Sequence, residues 1–121
     1  MGLDMRMVAL GDMGRIEAEY EWRGNDPILT LVRMFGSVGG GDGTVTMEDF
    51  MDGSTPITMN SHALYMMTRF LVDPVLTLHL WGQTGDMEYF DDIISPIFDQ
   101  FREAMDIANE KCIDFYFYAS Y

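Results

Sequence analysis

Residues 15–23 constrain the fold more than any other stretch. Ile16, Ala18, Tyr20 and Trp22 alternate with Glu17, Glu19 and Glu21 in strict period two, and an extended strand turns that pattern into one apolar and one acidic face. Such a strand lays its apolar side on a core and leaves its glutamates outside, so the chain is committed to a sheet with one covered face. Residues 3–10 offer a less regular apolar run, and Gly11-Asp12-Met13-Gly14 is short enough to join the two as a hairpin.

The remaining elements follow from caps and spacing. Asn25-Asp26-Pro27 starts a helix, with Asp26 as N-cap and Pro27 in the first turn, where its missing donor costs nothing. Ile28, Leu29, Leu31, Val32, Met34 and Phe35 leave that helix little polar surface, which predicts burial, and the cluster Gly36, Gly39, Gly40, Gly41 and Gly43 ends it in a loop. Residues 44–50 alternate weakly as a short strand. Asn60 or Ser61 caps a second helix over 61–72, which stops before Asp73-Pro74 because a residue preceding proline is driven out of the helical region. Residues 75–81, a nearly continuous apolar run closed by the loop 82–85, read as a central strand. A third helix spans about 87–111, with Phe90, Ile94, Ile97, Phe98, Phe101, Met105, Ala108 and Cys112 spaced by three and four. Pro96 must kink it, or restart it with Ser95 as cap. Residues 113–118 alternate as a last strand. The order β-β-α-β-α-β-α-β predicts a single α+β domain over 1–121, with a mixed, mostly antiparallel sheet of about five strands and three helices.

Composition narrows the function. With 121 residues, 48% of them apolar, and eight Phe, six Tyr and two Trp, the chain has material for one core and is not disordered. Twenty Asp and Glu against seven Lys and Arg give a net charge of −13, which excludes direct binding to nucleic acid or to anionic membranes. No apolar run reaches the roughly 20 residues of a membrane span, and Asp4 and Arg6 interrupt the start, so an intracellular, cytoplasmic protein is expected. Met1-Gly2 is no myristoylation signal, because Arg6 stands where Ser or Thr is required. The lone Cys112 permits no internal disulfide and no paired-cysteine zinc site, and its place on the apolar helical spacing predicts a buried thiol.

The carboxylates carry the one pattern that points to function. At 100° per residue, Glu88, Asp92, Asp99, Glu103, Asp106 and Glu110 fall within about 40° of one line, opposite the apolar side of the long helix. Like charges three and four residues apart destabilise a helix by about 0.2–0.5 kcal/mol per pair, so the row is either a solvated face or a face for a basic partner. Glu17, Glu19 and Glu21 would add a second row at intervals of roughly 7 Å. Tyr116 and Tyr118 are candidate anchors, since tyrosine combines apolar area with a hydroxyl.

Other constellations carry less. Asp42, Gly43, Val45 and Asp49 resemble the second half of an EF-hand calcium loop, but Val38 and Gly40 would occupy its first and third positions, and Asp49 is shorter than the glutamate needed at the twelfth. The glycine run lacks the Lys and the strand-to-helix order of a phosphate loop. His62, in a first helical turn, and His79, in the apolar strand, have no partner at triad or metal spacing. No cofactor and no metal is therefore expected. The pattern favours a small, acidic, non-enzymatic inhibitor of a basic, nucleic-acid-handling protein. Two settings fit: an immunity protein against a toxin such as a nuclease, and a phage-encoded inhibitor of a nucleic-acid-targeting defence, with the two rows imitating a nucleic-acid backbone. Two alternatives stand beside it: a small carboxylate- or metal-dependent enzyme or enzyme subunit, and a self-associating structural protein whose terminal strand adds to a second copy's sheet edge as a homodimer.

Overall fold

The computed structural model describes residues 4–24, 26–38 and 56–120. The alternating segment forms β2 (Ile16–Arg23), paired antiparallel with β1 (Asp4–Leu10). A 3-10 turn (Asp12–Gly14) links them, closed by Gly11 N–H donating to Arg15 O at 2.7 Å. The register slips between Ala9 and Leu10, which face Ala18 and Ile16, so Glu17 is the extra residue of a bulge. Helix α1 (Asp26–Phe35) follows as expected and buries Ile28, Leu29, Leu31 and Val32. Gly36 then passes so close to the sheet that a Cβ there would run into Ile57 Cγ2 and Met59 Sδ. Strands β3 (Ser37–Val38) and β4 (Ile57–Met59) pair antiparallel. The strand expected at 44–50 and the calcium-loop resemblance lie outside the described residues.

Helix α2 (Ser61–Leu71) is capped by Asn60, whose side chain accepts from Ala63 N–H at 2.8 Å. The next segment corrects the sequence reading: residues 75–81 are not a strand. Pro74–Leu80 form a short helix, α3, for which Asp73 is the N-cap, accepting from Val75 and Leu76 N–H at 3.0 and 3.3 Å, with Pro74 in the first turn. Asp73-Pro74 thus ends one helix and starts another. Val75 is 76% exposed, so its run of apolar neighbours marks no central strand. Only Thr77 and Leu78 are buried, the Thr77 hydroxyl donating to Phe70 O at 3.0 Å.

The long helix is interrupted. It begins as α4 (Met87–Tyr89), widens into a π turn (Phe90–Ile94) in which Ser95 N–H reaches back to Phe90 O, and continues as α5 (Ser95–Lys111) with Pro96 in its first turn. The interruption expected at Pro96 is present, and the π turn rather than a Ser95 cap accommodates it. Cys112 ends α5 in the left-handed region (φ 55°, ψ 44°) and is exposed, which corrects the expectation of a buried thiol.

Strand β5 (Phe115–Ser120) pairs antiparallel with both β1 and β4, giving the order β2-β1-β5-β4-β3. Among the described residues every pairing is antiparallel, where a mixed sheet was expected; β3 has two residues, and four strands carry most of the sheet. The domain is α+β, as expected. Met5, Met7, Trp22, Ile57, Met59, Phe115 and Phe117 point to one side and share a core with α1, α2 and α5. The opposite side carries Arg6, Glu19, Glu21, Tyr116 and Tyr118 around the buried Val8, and no described helix belongs to it. Because β5 already has a neighbour on each edge, it cannot add to the sheet of a second copy as the self-association alternative required.

Candidate protein-binding site

Helix α5 has three sides with different occupants. Ile97, Phe101, Ala104 and Ala108 recur at spacings of three and four, are buried, and form its inner side. Phe101 stacks on Trp22 with ring centroids 5.2 Å apart. One flank is fastened to β2 by three polar ties. Trp22 Nε1–H donates to Gln100 Oε1 at 2.8 Å, the Tyr20 hydroxyl donates to Glu103 Oε1 at 2.8 Å, and Lys111 Nζ donates to Glu17 Oε2 at 3.0 Å. The ties match in length: the rise from Gln100 to Lys111 along a helix is about 16 Å, and from Trp22 to Glu17 along a strand also about 16 Å. Helix and edge strand therefore run side by side in opposite directions.

These ties perturb two groups. The Lys111 hydrogen bond, and then its charge, hold the Glu17 carboxyl below its ordinary value of 4.5. Partial burial pushes the Tyr20 phenol well above its ordinary 10, and its bond to Glu103 and that group's charge push it the same way.

The third side is the outer line. Asp99, Asp106 and Glu110 are exposed and make no ion pair among the described residues, whereas Glu103, also exposed, is engaged by Tyr20. Within α5 the expected alignment of these four carboxylates stands. Glu88 and Asp92 are exposed as well, but the π turn lies between Glu88 and α5 and contains Asp92. One extra residue rotates what precedes it by roughly 100°, so the six carboxylates do not form one straight row.

The second row is also divided. The bulge turns Glu17 toward α5 and Lys111, while Glu19 and Glu21 stay on the open face, where Glu19 Oε2 lies 3.7 Å from Arg6 Nη1. The two rows thus face opposite sides of β2. Tyr116 and Tyr118 are half-buried on the open face, with the Arg6 guanidinium 5.6 Å from the Tyr118 ring centre. Next to them is a cleft of about 730 Å³ between two cross-strand rows, Glu21–Arg6–Tyr118 and Arg23–Asp4–Ser120. Arg23 and Asp4 pair within the second row at 3.2 Å, and Arg6 of the first row pairs with Glu19 outside the cleft, so both of its cations already have carboxylate partners.

Two features escape a reading of the sequence. The polar flank of α5 has a trace there, since Gln100, Glu103 and Lys111 recur along one side of the helix, but their partners on β2 are visible only in three dimensions. The second is the exposure of Met87 and Ile93, apolar side chains on the turns leading into α5. His62 and His79 are both exposed, His79 in the last turn of α3 rather than in a strand. Among the described residues no group of three or more His, Cys, Asp or Glu is placed to hold a metal ion, and no helix is long and apolar enough to cross a membrane. The chain matches no protein-family model and shows no significant similarity to a curated protein or to a solved structure.

Proposed function

We propose that this protein is a non-enzymatic binder that docks on a basic surface of a nucleic-acid-handling protein inside the cell and blocks it. The observation that carries the reading is the outer line of α5. Asp99, Asp106 and Glu110 are held in register by a helix fixed on its other sides, and no cation within the described residues pairs with them. Unpaired like charges on a rigid element are electrostatically unfavourable alone and become favourable against a cationic partner. The net charge of −13 steers such a partner from a distance. Apolar contact by Met87 and Ile93 would then slow dissociation. Toxin immunity and inhibition of a defence complex both supply a target of this chemistry.

The test is a pull-down from host lysate at low and moderate salt, wild type beside an Asp99→Asn, Asp106→Asn, Glu110→Gln variant. Glu103 is left intact because Tyr20 uses it. The expected result is retention of a basic protein by the wild type, weakening as salt rises and lost with the variant. Equal retention by both would remove the basis of this reading.

A further inference from the structure

The two acidic rows face opposite sides of β2, so a flat partner surface meets only one of them. β2 is also the terminal strand of the sheet: it pairs with β1 on one edge, and no described strand pairs with the other. Along that free edge every second residue turns its N–H and C=O away from β1, unpaired within the sheet. We infer that this edge is a docking site for an extended, cationic segment of a partner protein, which adds to the sheet as a sixth strand beside β2. The inference rests on the reading that the partner is basic, and specifies how one partner engages both rows.

Strand addition supplies what a flat surface lacks. Side chains of an added strand alternate between the two faces of the sheet. Residues of one parity would lie beside Glu19 and Glu21, which are spaced along β2 at the same interval, roughly 7 Å, as same-face residues of a neighbouring strand. Residues of the other parity would rise beside α5, past the Tyr20-bonded Glu103 toward Asp99 and Glu110 of the outer line. The three ties between β2 and α5 keep the helix alongside the strand from Trp22 to Glu17, so its carboxylates follow the edge. Lysine or arginine at both parities therefore finds carboxylates on both sides, while backbone hydrogen bonds fix the segment between them. A second copy of this chain does not fit, because antiparallel pairing of β2 with itself sets Glu19 and Glu21 against glutamates of the same row. The charges that guard the edge against self-pairing select an oppositely charged strand.

The probe is a synthetic peptide of eight residues, the length of β2, with the sequence Thr-Thr-Lys-Lys-Lys-Lys-Thr-Thr, so that each face of the extended chain carries two lysines roughly 7 Å apart. Its counterpart is the same sequence N-methylated at every backbone nitrogen, with equal charge and no amide donors. Binding to the full chain is followed by calorimetry at low salt, and amide hydrogen exchange in β2 by NMR. The inference expects the plain peptide to bind at least about tenfold more tightly than the methylated one, with slowed exchange at alternate β2 amides. It also expects a Glu19→Gln, Glu21→Gln variant and an Asp99→Asn, Glu110→Gln variant each to lose affinity, although these residues face opposite ways. Equal binding of the two peptides with unchanged β2 exchange overturns strand addition and leaves the acidic docking face standing. Slowed β2 exchange on concentrating the protein alone also overturns it, in favour of self-pairing. If neither peptide binds, the basic-partner reading fails and this inference fails with it.

Discussion

The flank of α5 that meets β2 and the outer line of the same helix are built from similar residues and do opposite things. On the flank, Gln100, Glu103 and Lys111 each have a partner on β2 within 3.0 Å. On the outer line, Asp99, Asp106 and Glu110 have no ion-pair partner among the described residues. Glu103 and Asp106 are three positions apart, a rotation of about 60° short of a full turn, and that rotation separates a carboxylate that holds the fold from one that is free to meet something else. Counting acidic residues cannot draw this distinction; helix phase and the position of the neighbouring strand do.

The sharpest way to break the contrast is on the inner side that fixes both. Phe101→Ala would remove the ring stacked on Trp22 and is expected to cost about 3–5 kcal/mol, read as a lower denaturation midpoint by circular dichroism. A smaller effect is expected on the flank. Tyr20→Phe would leave Glu103 without its donor and lower stability by about 1 kcal/mol. Because the folded-state pKa of Tyr20 is raised, its contribution is complete below its ordinary value of 10 and is lost as pH rises beyond it. Wild type should therefore lose stability on the alkaline side in a way that Tyr20→Phe does not. The acid limb belongs to Glu17, whose folded pKa is depressed: its contribution is present above 4.5 and disappears as pH falls below. Lys111→Ala should flatten that limb, which an acid titration followed by tryptophan fluorescence would show. The smallest change is expected on the outer line. Asp106→Asn relieves like-charge neighbours at spacings of three and four, and should leave stability unchanged or raise it by about 0.2–0.5 kcal/mol; a loss of about 1 kcal/mol or more, the worth of a typical hydrogen bond, would mean that Asp106 has a structural partner.

Much of this arrangement is legible in the order of the residues alone. The alternation of Ile16 to Trp22 places β2 and its acidic face, Asn60 caps the helix expected there, and the spacing of Ile97, Phe101 and Ala108 orients α5 well enough to put Asp99, Asp106 and Glu110 outside. The misreadings have local causes. Asp26-Pro27 and Asp73-Pro74 are the same dipeptide, yet the second is masked by the helix it ends, and the apolar run after it suits a buried strand as well as a short helix. Cys112 follows the apolar spacing one residue past the point where the helix stops, and spacing has no meaning beyond that point. The π turn and the bulge at Glu17 each insert one residue into a regular pattern, which moves Glu88, Asp92 and Glu17 off their expected lines without any change in composition. The pairing of Tyr20 with Glu103 joins residues 83 positions apart, and no local rule reaches that far.

The position of β5 has a consequence for how the molecule is made. It follows every other described strand in chain order and is the middle strand of the sheet, pairing with β1 on one side and β4 on the other. Until the ribosome has released it, the β1–β2 hairpin and the β3–β4 pair have no strand between them and no common sheet on which the helices can settle. The β1–β2 hairpin can form early from local contacts, but the core has to wait for a pairing between residues far apart in the chain, Met7 with Phe117, and long-range pairing of this kind is the slow step in folding. A nascent chain halted just short of residue 115 would carry every described helix and all of the buried core residues except Phe115, Phe117 and Ala119, yet lack the one strand that joins the two parts of the sheet.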